Sequence, residues 1–450
     1  MARREPARGR PLITVIAAVA AAGMVSGLNV PSAVAAQPAA LIPAAATTSA
    51  GHGALPGVQA DQLNGVACRS AGDCLAVGAD YHTGTPLAET WNGTRWRAVS
   101  VTLPSGASGA LLDGVACPAA TGTYCVVVGV LLKGSTGEAL AETWNGTAWT
   151  PMLPPAPAGS HLSAVSCLSP NSCVAVGVAG SAQGIGTLLT ESWNGRTWTP
   201  GKISAPAGTH GGFLDGVSCA TASFCVATGA AFTGSDAAEA PLIEGWNGKD
   251  WAVMKPAAPK TSIETGLYAV SCPSRDSCVT VGSGGNVTAG SIGYAEAWNG
   301  KTWALTSAVP WPKGTANPWL YGVSCRAAGS CVAVGLNDWN PASNGTLSGH
   351  AAAATWNGKA WTATTVTVPG KDDASGFAAV TCLPGKRVFC AAVGRRGPQN
   401  SMVSSSLSGF WNGRSWKVVL PAQWPAPERA RCRCPSASPV IVSRQARISR

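Results

Sequence analysis

The sequence predicts an all-β fold, a seven-bladed β-propeller whose blades are four-stranded antiparallel sheets. A unit with two cysteines, an apolar run ending in glycine and the motif Trp-Asn-Gly-x-x-Trp recurs seven times. The tryptophan that opens the motif recurs every 49 to 58 residues, at Trp91, Trp144, Trp193, Trp246, Trp298, Trp356 and Trp411. That period is long enough for four short strands and too long for a solenoid coil. We therefore expect the propeller over residues 61–421.

The first half of each repeat predicts a hairpin closed by a disulfide. In the third repeat, Leu162–Cys167 alternates as a strand, a polar turn follows, and Cys173–Gly177 forms an antiparallel partner. An even cysteine count within every repeat of an exported chain predicts one disulfide per repeat. Zinc is the alternative, but five or seven residues separate the cysteines and the chain has only 5 His. The predicted pairs are Cys68–Cys74, Cys117–Cys125, Cys167–Cys173, Cys219–Cys225, Cys272–Cys278, Cys325–Cys331 and Cys382–Cys390.

The second half of each repeat predicts another hairpin, built around the paired tryptophans. Asn194–Gly195 favours a two-residue type I′ turn, which would place Trp193 opposite Arg196 and make Trp193 and Trp198 diagonal neighbours. Strict repetition of the pair in all seven units favours a core between blades over a ladder for sugar binding.

A glutamate precedes the first tryptophan of the motif by two residues in five repeats, at Glu89, Glu142, Glu191, Glu244 and Glu296. Ala354 and Gly409 replace it in the other two. A catalytic acid need not recur five times, so we expect a structural hydrogen-bonding role for these carboxyl groups.

In these features the chain resembles the kelch family of propeller repeats, over residues 63–421. Kelch blades also run from an apolar strand ending in glycine, through an aromatic residue at a turn, to a tryptophan a few residues later. The chain departs from that pattern in its single glycine at Gly78, Gly129 and Gly177, in its Trp-Asn-Gly turn and in its cysteines. The combination is similar to secreted propeller-repeat proteins of high-GC actinobacteria, most of which have no assigned activity. The resemblance therefore implies a fold and little about function.

The N-terminal segment predicts export. An arginine-rich start, an apolar run from Pro11 to about Val30 and the small residues Ala33–Ala36 form the pattern of a cleaved signal peptide over residues 1–36. An uncleaved anchor helix is the alternative, which Gly23, Gly27 and Pro31 disfavour. Residues 37–60 are expected to form a flexible leader. The mature bacterial protein would then be extracellular, with no membrane span.

The charge distribution argues against nucleic acid as a partner. The net charge of +10 is concentrated in the first ten residues and in the tail from Glu428, and the rest carries 21 Lys and Arg against 19 Asp and Glu. A nearly neutral ring does not attract polyanions through its general field. In the basic tail, residues 422–450, Cys434 lies in register with Cys382 for an eighth first strand. The tail either adds a closing strand or is the remnant of an eighth repeat, and seven closed blades are favoured.

The variable connections indicate where a ligand would bind. A meander places the cysteine turns and Asn-Gly turns on one face and the 2–3 and 4–1 connections, which vary in length, on the other. The candidate residues surround the sixth blade on that variable face: Trp311, Trp319, Tyr321, Asn337, Asp338, Trp339 and Asn340. Exposed aromatic faces beside planar hydrogen-bonding groups suit a carbohydrate or a peptide. The alternative is that these tryptophans plug the channel or pack loops together.

Signatures of enzymes are weak, and no catalytic residue is predicted. His161 and His210 precede first strands of adjacent blades and could approach each other near the axis, but the histidines share no ligand spacing. We expect a secreted, monomeric, non-catalytic binding or adhesion propeller for a glycan, a cell-wall polymer or a protein, with no cofactor and no metal. The alternative is a secreted hydrolase or lyase with its site at the propeller axis.

Overall fold

The computed structural model describes residues 60–118, 122–180, 186–233, 238–257, 259, 265–286, 290–311, 318–337, 349–370 and 373–420. Within them the chain forms seven four-stranded antiparallel sheets, each made from four consecutive strands in sequence order. This confirms the predicted seven-bladed propeller. The predicted signal peptide, nearly all of the leader, and the basic tail with Cys434 lie outside the described residues.

The first four blades have the following strands. Blade one contains β1 (Asp61–Ser70), β2 (Asp73–Asp80), β3 (Thr85–Trp91) and β4 (Trp96–Ala98). Blade two contains β5 (Gly109–Ala116), β6 (Cys125–Lys133), β7 (Thr136–Trp144) and β8 (Trp149–Pro151). Blade three contains β9 (His161–Ser169), β10 (Ser172–Ala179), β11 (Thr187–Trp193) and β12 (Trp198–Pro200). Blade four contains β13 (Thr209–Thr221), β14 (Phe224–Thr233), β15 (Ala238–Trp246) and β16 (Trp251–Met254).

The last three blades repeat the same order. Blade five contains β17 (Thr265–Ser274), β18 (Ser277–Asn286), β19 (Gly290–Trp298) and β20 (Trp303–Leu305). Blade six contains β21 (Trp319–Ala327), β22 (Ser330–Asn337), β23 (His350–Trp356) and β24 (Trp361–Thr364). Blade seven contains β25 (Asp373–Cys382), β26 (Cys390–Pro398), β27 (Ser405–Trp411) and β28 (Trp416–Val419). The first strands of neighbouring blades lie side by side around the axis.

The paired tryptophans form the core between blades, as the sequence predicts. Trp193 and Trp198 of blade three form one side of such a core. Val126, Val128 and Ala141 of blade two form the other side. Each blade thus packs its tryptophan face on the opposite face of the preceding blade, and the same arrangement recurs between blades seven and one.

The register of the tryptophan hairpin differs from the predicted one. Trp193 lies directly opposite Trp198, so four residues rather than two form the turn. Asn194 keeps a negative φ and only Gly195 has a positive φ, of 93°. The side-chain oxygen of Asn194 accepts the backbone N–H groups of the residues two and three positions on, each at 2.9 Å. This Asx turn satisfies the loop backbone without the positive φ at Asn that a type I′ turn requires, so the prediction was wrong on this point.

Seven disulfides confirm the predicted cysteine pairing, one in each blade. The two cysteines of each pair belong to the first two strands or the turn between them, with Cα atoms 3.9–4.2 Å apart. Near them, the serine of the Val-Ser-Cys motif links blades: Ser166 Oγ accepts the N–H of Cys219 at 3.0 Å. Equivalent bonds join the following three pairs of blades.

Removing one disulfide is expected to cost about 2 kcal/mol, because the bridge closes only a short loop of the unfolded chain. The variant with Cys167→Ala and Cys173→Ala should still fold, since its blade keeps the tryptophan core on both sides. Denaturant unfolding of this variant and of the intact protein measures the difference. An unchanged unfolding midpoint would contradict a contribution of the bridge to stability.

The five repeated glutamates are buried in the cores between blades, with 0–1% of each residue exposed. Burial raises the pKa of Glu142, Glu191 and Glu244 to about 7. Glu296 Oε2 accepts the backbone N–H of Ala257, in the connection that follows the preceding blade, at 2.7 Å. This contact is of the structural kind expected, but the expectation fails for Glu142 and Glu191, whose buried carboxyl oxygens have no hydrogen-bond partner among the described residues.

The ring closes through side-chain packing and a few polar contacts between blades one and seven. The rings of Trp91 and Phe410 lie 4.5 Å apart, and Trp96 Nε1 donates to Ser408 Oγ at 2.9 Å. The N–H of Asp61 donates to the carbonyl of Ser404 just before β27. Among the described strands none is exchanged between blades, because each sheet comes from one continuous segment. Nor does this part of the chain contain a helical stretch of the length and apolarity that a bilayer crossing requires.

Candidate ligand-binding site at the propeller axis

A β-bulge interrupts the first strand of every blade at the same position, four residues before the first cysteine. In blade one, Leu63 pairs with Gly78 and Gly65 pairs with Val77, which leaves Asn64 without a partner in the ladder. A bulge of this kind bends the strand and re-aims the side chain of the extra residue. The seven bulged residues are Asn64, Asp113, Ser163, Asp215, Tyr268, Tyr321 and Ala378.

The glycine that ends the apolar run of each repeat accommodates this bulge. A Cβ on Gly177 would lie closer than 3.0 Å to the carbonyl oxygen of His161 in the adjacent bulged strand. The same overlap would occur in every blade, at Gly78, Gly129, Gly229, Gly282, Gly335 and Gly394. The repeated glycine is therefore a requirement of the inner strand and not of a turn.

The bulged residues line a cavity of about 190 Å³ on the propeller axis. The next position along each first strand is Gly or Ala, and the one after it is Val in every blade. Small residues are needed there because the blades approach closely: a Cβ on Gly114 would lie 2.9 Å from the Cα of Ala164. Of the three rings of residues around the cavity, only the bulged ring differs in chemistry from blade to blade.

Blades one to three contribute a hydrogen-bonded polar network to the cavity. His161 Nε2 lies 2.7 Å from Asp113 Oδ2, and both side chains are buried. Asn64 Nδ2 lies within hydrogen-bond distance of Asp113 Oδ1, at 3.2 Å, and of the carbonyl of Leu112, at 2.9 Å. Gln62 donates to Asn64 Oδ1 at 2.7 Å. These contacts fix the orientation of Asn64 and Asp113 before any ligand arrives.

Asp215 of blade four contributes a second carboxyl group to the cavity. Its Oδ2 is buried and has no hydrogen-bond partner among the described residues. Burial raises the pKa of Asp215 well above its ordinary value, and the nearby carboxylates of Glu239 and Asp113 raise it further. The protonated, uncharged form is favoured, and a protonated carboxyl group both donates and accepts hydrogen bonds.

Blades five and six contribute aromatic rings. Tyr268 stacks on Trp319 with ring centroids 5.9 Å apart and lies 5.8 Å from Tyr321. Ser283 Oγ lies 3.2 Å from the Tyr268 hydroxyl. Burial raises the pKa of Tyr321 to about 12, so its hydroxyl keeps its proton and can donate to a ligand.

Arg395 of blade seven lies beside this aromatic group. It follows Gly394 in β26 and is partly buried. Burial lowers the pKa of its guanidinium, and the groups that act on its charge are the hydroxyls of Tyr321 and Tyr81. Since these tyrosines belong to blades six and one, the guanidinium lies between the two blades that flank its own.

The structure describes four of the seven residues that the sequence proposed for ligand binding. Trp319 is the first residue of β21 and is 6% exposed, although the sequence placed it in an exposed connection. Tyr321 lines the axial cavity, and its ring centroid lies 6.2 Å from that of Trp319, so the structure brings these two together. Partly buried Trp311 packs in the core between blades five and six, and Asn337 is buried at the end of β22. Asp338, Trp339 and Asn340 lie outside the described residues.

Sequence reasoning missed most of the axial residues. The available signal was a variable polar position within an otherwise constant strand, four residues before the first cysteine of each repeat. His161 contacts Asp113, whereas His210 is exposed, so the two histidines do not form the pair considered from the sequence. Nor do any three His, Cys, Asp or Glu residues of the described part of the chain converge as a metal site would require.

Comparisons with known proteins find solved structures that resemble this one at low sequence identity. No family model matches the chain, and no curated protein does. Ycf48 from Cyanidioschyzon merolae is 13% identical with a TM-score of 0.43, over 76% of this chain and 94% of that one. The six-bladed Aleuria aurantia lectin is 13% identical with a TM-score of 0.44, over 81% and 97%. A xyloglucanase from Xanthomonas campestris is 11% identical with a TM-score of 0.35, over 81% and 71%.

Proposed function

We propose that the protein is a secreted, monomeric, non-catalytic binding propeller that takes one residue of a glycan or cell-wall polymer in its axial cavity. One observation carries the proposal: the seven bulged side chains line the cavity and form the one ring around it that differs in chemistry between blades. A scaffold that repeats everywhere except at its cavity is the arrangement expected of a binding site.

The size of the cavity supports a small ligand group. Its volume of about 190 Å³ is smaller than the roughly 300–1,000 Å³ of sites that enclose drug-sized ligands. A single sugar ring or one side chain fits this space, while a longer polymer would continue outside it. Asn64, Ser163 and Asp215 offer amide, hydroxyl and carboxyl groups to ligand hydroxyls, and Tyr321 adds an apolar ring.

The ligand is proposed to enter from the face of the 2–3 and 4–1 connections. The bulged residues lie four positions before the first cysteine of each repeat. In blades one, three, five and six this position is in the half of the first strand that joins the 4–1 connection, and in the other three blades it is near the middle of the strand. Trp311, Asp338, Trp339 and Asn340 are proposed to extend the contact on that face. Disulfides in every blade and the signal-like N-terminus support export to an oxidising compartment.

A second candidate function is a secreted hydrolase or lyase at the same axis. It is favoured by the buried Asp113–His161 pair and by Asp215, whose raised pKa would suit a general acid. Asp215→Asn separates the two functions: it would abolish turnover of a glycan by an enzyme, whereas a binding protein releases no product before or after the substitution.

Filling the cavity tests the proposed binding function. Ser163→Trp should lower the affinity for a glycan found on an array of polysaccharides and cell-wall fragments by at least tenfold, because the indole would occupy the cavity. Titration of that glycan into the full chain measures the affinity, and thermal melting verifies the fold. Ser70→Trp, in an exposed cysteine turn on the opposite face, is the matched control and should bind normally.

Two results would contradict the proposal. The array could retain no glycan at all, or Ser163→Trp could bind as tightly as Ser70→Trp. If Ser163→Trp fails to fold, Ala378→Trp fills the cavity from blade seven and provides the same comparison.

A further inference from the structure

Arg395 departs from the repeat at a position where the other six blades carry small or apolar residues. It directly follows the glycine that accommodates the bulge in its blade. The equivalent residues are Ala79, Val130, Val178, Ala230, Ser283 and Leu336. A guanidinium at this position is thus specific to blade seven and cannot serve a feature common to all blades.

The charge of Arg395 has no counter-ion among the described residues. Its side chain makes no ion pair and no hydrogen bond with them, and the groups that act on its charge are the hydroxyls of Tyr321 and Tyr81. A partly desolvated cation is unfavourable unless an anion pairs with it. Beside the cavity there is therefore a cation with which none of the described carboxylates pairs.

Of the two carboxyl groups that line the cavity, one is hydrogen-bonded and the other favours its uncharged form. Asp113 is engaged by His161 at 2.7 Å, and Asn64 lies 3.2 Å from its other oxygen. Asp215 favours its uncharged form because of burial. The network of blades one to three and the Asp215 carboxyl thus present hydrogen-bonding groups, while Arg395 supplies a positive charge beside Tyr321 and Tyr81.

We infer that the axial site recognises an acidic sugar residue, whose carboxylate pairs with Arg395 and whose ring hydroxyls bond to Asn64, Ser163 and Asp215. The inference rests on the proposed function and adds the charge of the ligand. A guanidinium binds a carboxylate through two parallel hydrogen bonds, which gives both affinity and orientation. Tyr321 lies next to Arg395 and lines the cavity, so its ring and hydroxyl connect the two parts of the site.

Titration of the full chain with glucuronic and galacturonic acids, followed by saturation-transfer NMR, tests this inference. Glucose and galactose are the matched controls, since they keep the ring and lose the carboxylate. We expect the acids to bind at least tenfold more tightly than the neutral sugars at constant ionic strength. Arg395→Gln should remove that difference without weakening the neutral sugars, and Arg395→Lys should restore part of it. Arg196→Gln, exposed in a turn on the opposite face, should change nothing.

Several outcomes would overturn the inference. The inference is wrong if the uronic acids bind no better than the neutral sugars. It is also wrong if Arg395→Gln still prefers the acids. Binding of N-acetylglycine without binding of the uronic acids would assign the cation to a peptide carboxylate instead. If the acids bind no better than the neutral sugars, the proposed function still stands provided that neutral sugars compete with the glycan whose binding Ser163→Trp weakens. If Arg395→Gln does not fold, Tyr321→Phe removes the adjacent hydroxyl and should weaken the acids selectively.

Discussion

Replacing Gly177 by alanine is expected to destabilise the propeller severely, although it adds a single methyl group. The new Cβ would lie closer than 3.0 Å to the carbonyl oxygen of His161, and a backbone atom of the strand nearest the axis cannot move without its neighbours. To relieve this overlap the bulge at Ser163 must change, and that change displaces the first strand from the first strands of the two neighbouring blades. We expect the free energy of unfolding to fall by more than about 4 kcal/mol, among the largest effects of single substitutions. Denaturant unfolding followed by circular dichroism measures it.

Gly72→Ala is the matched control for this experiment. Gly72 lies in the exposed cysteine turn of blade one, where the nearest atom to a new Cβ is 3.7 Å away. Its substitution should change stability by less than about 0.5 kcal/mol. Gly335→Ala repeats the overlap in blade six and should behave like Gly177→Ala. Equal stability of all three variants would show that the bulge adapts at little cost and that the inner strand does not require the repeated glycine.

The stability of the ring is expected to fall as the pH rises from about 4.5 to about 7. Burial raises the pKa of Glu142, Glu191 and Glu244 from 4.5 to about 7, so the folded state keeps protons that the unfolded state releases in this interval. The stabilisation that these protonated carboxyl groups provide is therefore complete below pH 4.5 and is lost by pH 7. Above pH 7 the free energy of unfolding no longer changes because of them. Each carboxyl group contributes about 3 kcal/mol or less. Unfolding curves at constant ionic strength between pH 4.5 and pH 8 measure the trend.

Glutamine at all three positions should flatten this dependence, since an amide remains uncharged over the whole interval. The triple variant Glu142→Gln, Glu191→Gln, Glu244→Gln should lose less stability between pH 4.5 and pH 7 than the unmodified protein does. Glu138→Gln is the control, because Glu138 is partly exposed and pairs with Lys133 at 2.7 Å. A triple variant with an unchanged pH profile would exclude these carboxyl groups as its cause.

The sequence predicts the architecture because the features that build it recur in every blade. The paired cysteines and the terminal glycine each satisfy a requirement within one blade, and the paired tryptophans satisfy one between neighbouring blades. The same pattern in seven repeats therefore predicts the same structure seven times. Prediction was less accurate where a side chain competes with the backbone. Asn194 accepts two backbone N–H groups through its side chain, and this changes the register of the hairpin that Asn-Gly alone suggests.

The candidate site was harder to predict because it depends on register rather than on composition. Asp113 and Asp215 are close to the axis only because an extra residue interrupts each first strand, and an alternating pattern of apolar residues does not reveal that interruption. Trp319 was expected in the connection between blades five and six, yet β21 begins at this residue. Tyr321 was identified, since its neighbourhood is rich in aromatic residues that break the repeat.

The closure of the ring has a consequence for how such a molecule can change in evolution. Because each blade is a continuous segment and the seam between blades seven and one uses the same tryptophan face as the other seams, no blade holds a privileged position. A gene could begin at any 4–1 connection and encode the same set of sheets. The chemistry at the axis, by contrast, differs between blades, since the bulged position is Asn64 in blade one, Asp113 in blade two and Ser163 in blade three, and Arg395 occurs in blade seven alone. Shuffling the order of blades would keep the scaffold and rearrange the chemistry around the axis.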